Sequence, residues 1–189
     1  TKIDPTTWEV VAEYPYSGYR GDWITIDAKS EYLYVPAAGS SNVTKINNAT
    51  GEIEWASAVG IGPYGATLNA DESELWVSNK GEGAGFIGRT ITIVDTQTGR
   101  PMETLFSAYQ SDHVLLSPNG KEMWVTSNGE GRILVFDAET REQTNSIDMP
   151  GYGDPHGLVF VKYDSEGIGQ VVRDQGGFHN GVNPAEGNP

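Results

Sequence analysis

The chain has no cysteine among its 189 residues. That excludes disulfides, thiolate-held metals, iron–sulfur clusters and a covalently attached c-type haem, and leaves the redox compartment open. Basic residues are scarce, 12 Lys and Arg against 26 Asp and Glu, for a net charge of −14. Such an acidic surface repels polyanions, so nucleic acid and anionic membrane are not expected as partners; its plainest role is solubility. No apolar stretch is long enough to span a membrane. There is no Gly-x-Ser-x-Gly elbow and no phosphate-binding Gly-Lys-Ser/Thr loop, so neither nucleophilic hydrolysis nor nucleotide binding has a sequence basis. The chain opens at Thr1 without Met or a signal peptide, which reads as a processed protein, a fragment or a partial chain. Helix signals are nearly absent. In their place are 24 Gly, 10 Pro and short runs rich in Val, Thr, Tyr and Trp, the composition of an all-β chain with many turns.

One stretch recurs. Thr90-Ile91-Thr92-Ile93-Val94-Asp95-Thr96-Gln97-Thr98-Gly99 alternates as a strand and then runs into a turn that the Asp95 carboxylate and Thr98-Gly99 can close. Ile91 and Ile93 point one way, Thr92 and Val94 the other. The same core, an apolar residue, Asp or Asn, two variable residues and Thr, appears at Asp4, Asn47 and Asp137, with spacings of 43, 48 and 42 residues. A repeat of this period and strand content predicts propeller blades. Upstream of each of the turns at Asn47, Asp95 and Asp137 lies a hairpin: 24–27 with 31–35, 66–69 with 74–77, and 114–117 with 122–125. Fourth strands are expected at 8–14, 52–59, 101–106 and 143–149.

The second strands carry Leu33-Tyr34-Val35-Pro36, Leu75-Trp76-Val77-Ser78-Asn79 and Met123-Trp124-Val125-Thr126-Ser127-Asn128. With Leu116-Ser117-Pro118-Asn119-Gly120 and Val135-Phe136-Asp137-Ala138-Glu139-Thr140, these resemble the blades of the YVTN-type β-propeller repeat family, over about residues 1–165. Similar blades occur in surface-layer proteins, in lactonase-like proteins and in the cytochrome d1 haem domain of nitrite reductase. The resemblance implies an all-β propeller of four-stranded antiparallel blades and a secreted or periplasmic protein. Residues 15–59, 60–107 and 108–150 make full blades; 1–14 and 151–174 make complementary halves; 175–189 form a Gly/Asn/Pro-rich tail. Propellers of this type usually have seven blades, so the chain reads as about four blades of a larger ring, with four blades closing alone or two chains sharing a ring as the alternatives. The half-blades are expected to pair, within the chain or across chains. Open edges invite a protein partner or a second copy of the chain.

In a meandering blade, the hairpin turns and the Asp-x-x-Thr turns share one face. The loops leading into the innermost strands converge on the other, at the mouth of the channel. These are Tyr19-Arg20-Gly21-Asp22-Trp23, Gly62-Pro63-Tyr64-Gly65, Gln110-Ser111-Asp112-His113 and Gly153-Asp154-Pro155-His156. His113 and His156 sit here, one position apart in the repeat, and His179 lies in the tail. With Asp22, Asp112 and Asp154 they offer imidazole and carboxylate ligands for a divalent transition metal. The family resemblance adds a non-covalent haem as the other cofactor such histidines serve. Arg20, Trp23 and Tyr64 are candidate ligand contacts, Trp23 by stacking. Polar residues bonded to backbone at strand starts are the plain alternative, since no short metal-ligand spacing is present. The Gly-rich loops after Asn79 and Asn128 are expected to be tight turns with Glu82 and Glu130 exposed, and calcium there is a minor alternative. Asn42 and Asn48 head short glycosylation patterns. Trp76 and Trp124 are expected between blades. Two functions stand open: a binding or assembly module acting through its loop face, and a redox or metal- or haem-binding propeller.

Overall fold

The computed structural model describes residues 1–175. Three four-stranded antiparallel meanders follow one another. Blade 1 comprises β3 (Thr25–Ile26), β4 (Tyr32–Ala37), β5 (Asn42–Asn47) and β6 (Ile53–Ala58). Blade 2 comprises β7 (Pro63–Leu68), β8 (Glu74–Asn79), β9 (Thr90–Asp95) and β10 (Pro101–Phe106). Blade 3 comprises β11 (Ser111–Leu116), β12 (Glu122–Ser127), β13 (Arg132–Asp137) and β14 (Gln143–Asp148). Two two-stranded sheets flank them: β1 (Lys2–Ile3) with β2 (Val10–Ala12), and β15 (Val159–Tyr163) with β16 (Gly169–Asp174).

The repeated turn works as its chemistry suggests. Asp95 Oδ1 accepts from the Thr98 N–H and hydroxyl, each at 2.7 Å. Asp137 Oδ1 accepts from Glu139 and Thr140 N–H, and Asn47 does the same for Ala49 and Thr50. Each turn is tied to the hairpin turn beside it: Asn48 N–H donates to the Glu31 carbonyl, Thr96 to Ser73 and Ala138 to Lys121. These bonds put the two sets of turns on one face, away from the lead-in loops.

Period-2 alternation makes both faces of the inner strands apolar, and each face meets a different blade. Leu75, Val77 and Val94 of blade 2 pack with Tyr34 and Val43 of blade 1, while Trp76, Ile91 and Ile93 pack with Val114, Leu116, Met123, Val125 and Phe136 of blade 3. Trp76 is fully buried, so Trp76→Ala would cost about 3–5 kcal/mol in this seam. The outer strands β10 and β14 are almost wholly exposed. On blade 1, Ile24, Ile26, Leu33, Val35 and Ile46 have no full blade against them and line an open groove of about 760 Å³.

The structure differs from the sequence reading in three places. The innermost strands of blades 2 and 3 start earlier than expected, at Pro63 and Ser111, because each pairs with the far end of its neighbour across a bulge (Pro63 with Asn79, Ser111 with Ser127). Asp112 and His113 are therefore strand residues. The fourth strand expected at 8–14 shortens to Val10–Ala12. Among the described residues the two half-blades do not pair within the chain: β1–β2 and β15–β16 are separate sheets. Each is tied to a different full blade. Tyr14 Oη donates to the Asn48 carbonyl of blade 1, and Phe160 meets Trp124 of blade 3 edge-on.

Candidate functional site

The strand register aligns the lead-in segments. Thr25 pairs with Tyr34, Thr67 with Trp76 and Leu115 with Trp124. Asp22, Tyr64 and Asp112 thus hold one position in successive blades, and Trp23, Gly65 and His113 the next. A buried hydroxyl on the second strand then couples each blade to the one after it. Ser78 Oγ accepts from Gly65 N–H at 3.0 Å and donates to the Asp112 carbonyl. Thr126 Oγ1 accepts from His113 N–H at 3.0 Å and donates to the His156 carbonyl at 2.9 Å. His156 therefore occupies the Asp112 position of the following half-blade. Blade 1 has Pro36 at the hydroxyl position and lacks this coupling. Gly65 serves the same close approach: a Cβ there would lie 2.7 Å from the Asp112 carbonyl oxygen and 2.8 Å from His113 Cα.

This coupling gathers three ligating side chains. His113 Nε2 is 3.1 Å from His156 Nδ1, and Asp112 Oδ2 lies 3.5 Å from His156 Nε2 and 4.0 Å from His113 Nε2. One ligand atom from each falls within 4.8 Å of the others. The Asp112 and His113 side chains are buried, whereas that of His156 is 53% exposed, so the cluster opens to solvent on the His156 side. Trp23 and Tyr64 stand edge-on to the His113 ring, at centroid distances of 4.7 and 5.1 Å.

The electrostatics are tense. Among the described residues, neither Asp112 oxygen has a well-directed hydrogen-bond donor, and His113 Nδ1 has no partner. The charge of Asp112 is met by the Lys80 ammonium, 3.0 Å from Oδ1. Lys80 also lies 3.3 Å from Glu82 Oε2 and 4.3 Å from the Tyr64 ring centroid. Burial pushes the Asp112 carboxyl up, opposed by Lys80. Burial, with His156 and Lys80 beside it, pushes His113 down to about 3, so its imidazole is neutral and can act as a ligand at ordinary pH. Burial also raises the Tyr64 hydroxyl.

The remaining sequence candidates fall elsewhere. Asp22 pairs with Arg20 at 3.0 Å, and Arg20 reaches on to Glu82 at 2.5 Å. Asp154 accepts from Asn128 Nδ2 at 2.6 Å on the exposed rim. His179 lies outside the described residues. Glu82 and Glu130 are not simply exposed: Glu82 holds Arg20 and Lys80, while Glu130 accepts from Tyr109 N–H and pairs with Arg132. Nothing in either loop gathers the oxygen ligands calcium needs. The amide groups of Asn42 and Asn48 are both engaged, with Ser17 and Ser30 respectively. Sequence reasoning assigned no role to Lys80, Ser78 or Thr126 and considered Glu82 only as an exposed loop residue with calcium as a minor alternative. The hydroxyls had a signal, since Ser78 and Thr126 both follow the Leu/Met-Trp-Val run; Lys80 had none.

No family model and no curated protein matches the chain in sequence. Solved structures do match in shape. Kuenenia stuttgartiensis hydrazine synthase aligns with a TM-score of 0.66 at 21% identity, over 84% of this chain and 43% of that one. The dihydro-heme d1 dehydrogenase NirN in complex with DHE aligns with a TM-score of 0.62 at 17% identity, over 78% of this chain and 32% of that one. The fold is a β-propeller. The chain spans less than half the length of either structure's chain, and identities this low speak to the fold alone. No helix among the described residues is long and apolar enough to cross a membrane.

Proposed function

We propose that this propeller is a ligand-binding module, and that its working part is a divalent transition-metal site made by Asp112, His113 and His156 at the channel mouth. The observation that carries this reading is the convergence of one carboxylate and two imidazoles from adjacent blades within 4.8 Å, around buried Asp112 and His113 atoms that have no well-directed hydrogen-bond partner among the described residues. Two histidines and a carboxylate suit zinc, iron(II) or cobalt(II), with the exposed side left for water or a further ligand. The residues fit an ion better than a haem. An axial haem ligand needs one imidazole directed alone into an open slot, whereas His113 is walled by Trp23 and Tyr64 and His156 is turned to Asp112 and His113. The YVTN-like blades favour a periplasmic or extracellular setting, and a neighbour of this fold in complex with DHE is in keeping with a binding module.

The test is a titration of the metal-free protein with cobalt(II), read by visible absorption, with elemental analysis of the protein as purified. One equivalent should bind. His113→Ala with His156→Ala should abolish binding while the far-ultraviolet spectrum of the blades persists. Full metal occupancy in that double variant, or no binding by the wild type, refutes the site.

A second reading concerns assembly. The apolar face of blade 1, with Ile24 half exposed, has the composition of the seams buried between blades 1, 2 and 3. It supports packing against a further blade, whether of the same polypeptide or of a second copy. Light scattering distinguishes these: a constant monomer mass at all concentrations removes the second copy.

A further inference from the structure

We propose that the Lys80 ammonium is the resident cation of the Asp112 site, and that a metal ion binds by displacing it from Asp112 onto Glu82. The proposal deepens the metal reading above and rests on it.

A carboxylate with a side chain as buried as that of Asp112 cannot stand alone, because an uncompensated buried charge is very costly. Among the described residues its nearest full positive charge is Lys80, whose side chain is only 12% exposed. The neutral His113 imidazole supplies none. Lys80 thus does for the metal-free site what a metal ion would do when bound.

The geometry also gives the ammonium somewhere to go. Its nitrogen lies between two carboxylates, 3.0 Å from Asp112 Oδ1 and 3.3 Å from Glu82 Oε2. Glu82 is partly exposed, and its other oxygen is held by Arg20, so it stays in place to receive the full charge. Leaving Asp112 for Glu82 is a shift of the side-chain tip, which a flexible four-carbon stem accommodates without moving β8. The Tyr64 ring stays beneath the ammonium as an apolar and cation-attracting floor. A divalent ion on Asp112 Oδ2 repels an ammonium held on Oδ1, so the two cations compete for one carboxylate. Lys80 then sets the affinity of the site. It keeps the empty propeller folded and admits only ions that bind the two histidines strongly enough to displace it.

The experiment is cobalt(II) titration of wild type, Lys80→Met and Glu82→Gln, with the thermal stability of each measured with and without metal. Lys80→Met keeps the stem and removes the charge. Its affinity for cobalt(II) should rise by about tenfold or more, because a like charge a few ångströms away at an effective dielectric of about 20 is removed. Its metal-free form should be less stable than wild type, and saturating cobalt(II) should restore it. Glu82→Gln removes the alternative berth from a partly exposed loop and should weaken binding by about two- to fivefold, the worth of a surface ion pair. This variant carries the test if Lys80→Met does not fold without metal. Equal or weaker binding in Lys80→Met, or unchanged binding in Glu82→Gln, overturns the role of Lys80 while the metal site stands. Absence of any cobalt(II) spectrum in wild type and Lys80→Met alike overturns the metal reading itself.

Discussion

Thr126→Val separates the hydroxyl's part in holding the two histidines from the volume it fills. Valine has nearly the shape of threonine, so no cavity opens. What disappears is the acceptor for His113 N–H at 3.0 Å and the donor to the His156 carbonyl at 2.9 Å, at a residue with no exposed surface. A neutral hydrogen bond of this kind contributes about 1 kcal/mol net, and a buried donor left without a partner costs about 1–3 kcal/mol. The His156 carbonyl belongs to an exposed residue and can turn to water, whereas the His113 N–H cannot. The expected loss is therefore about 2–3 kcal/mol, dominated by His113. For a chain of this size that lowers Tm by about 4–12 °C. Urea unfolding followed by tryptophan fluorescence measures it, with Thr126→Ser as the control. Serine keeps the hydroxyl and loses one methyl group, at about 1 kcal/mol. Cobalt(II) affinity should follow the same order, wild type first, then serine, then valine, because the hydroxyl sets the backbone positions of both imidazoles. If the valine variant is within about 0.5 kcal/mol of wild type, or more stable than the serine variant, the hydroxyl does not couple the blades.

Two further outcomes are expected. His113, held at about 3 in the fold against about 6.5 in an unfolded chain, binds its proton only on unfolding. Its contribution to stability is complete above pH 6.5 and falls as the pH drops towards 3, by about 2 kcal/mol between pH 7 and pH 5. Urea midpoints across that range should fall less steeply for His113→Gln, and superimposable profiles would refute the burial argument. In the repeated turn, Asp137→Ala should lower the urea midpoint and Asp137→Asn should largely preserve it, since Asn47 makes the same two backbone bonds in blade 1. Equal losses in both variants would show that charge rather than hydrogen bonding closes the turn.

The blades were legible in the sequence because their determinants are local. Alternation in Ile91–Val94, the Asp95 side chain capping its own turn and the Leu-Trp-Val runs depend on neighbours a few residues away, and they recur in register. Topology carried the reading further: antiparallel meanders send the lead-in segments to one face, which is why Asp112, His113 and His156 could be grouped beforehand. Which acids would join them was not legible. Asp22 and Asp154 hold the same kind of position, yet Arg20 takes one and Asn128 the other, and those pairings depend on side-chain reach across loops. The register bulge that draws Asp112 and His113 into a strand is set by pairing with Ser127, not by local preference. Lys80 was least visible of all. Its loop reads as a plain Gly-rich turn, and its part follows only from where blade 3 buries the Asp112 carboxylate, because the cost of an unpaired charge is fixed by its three-dimensional surroundings and not by its neighbours in the chain.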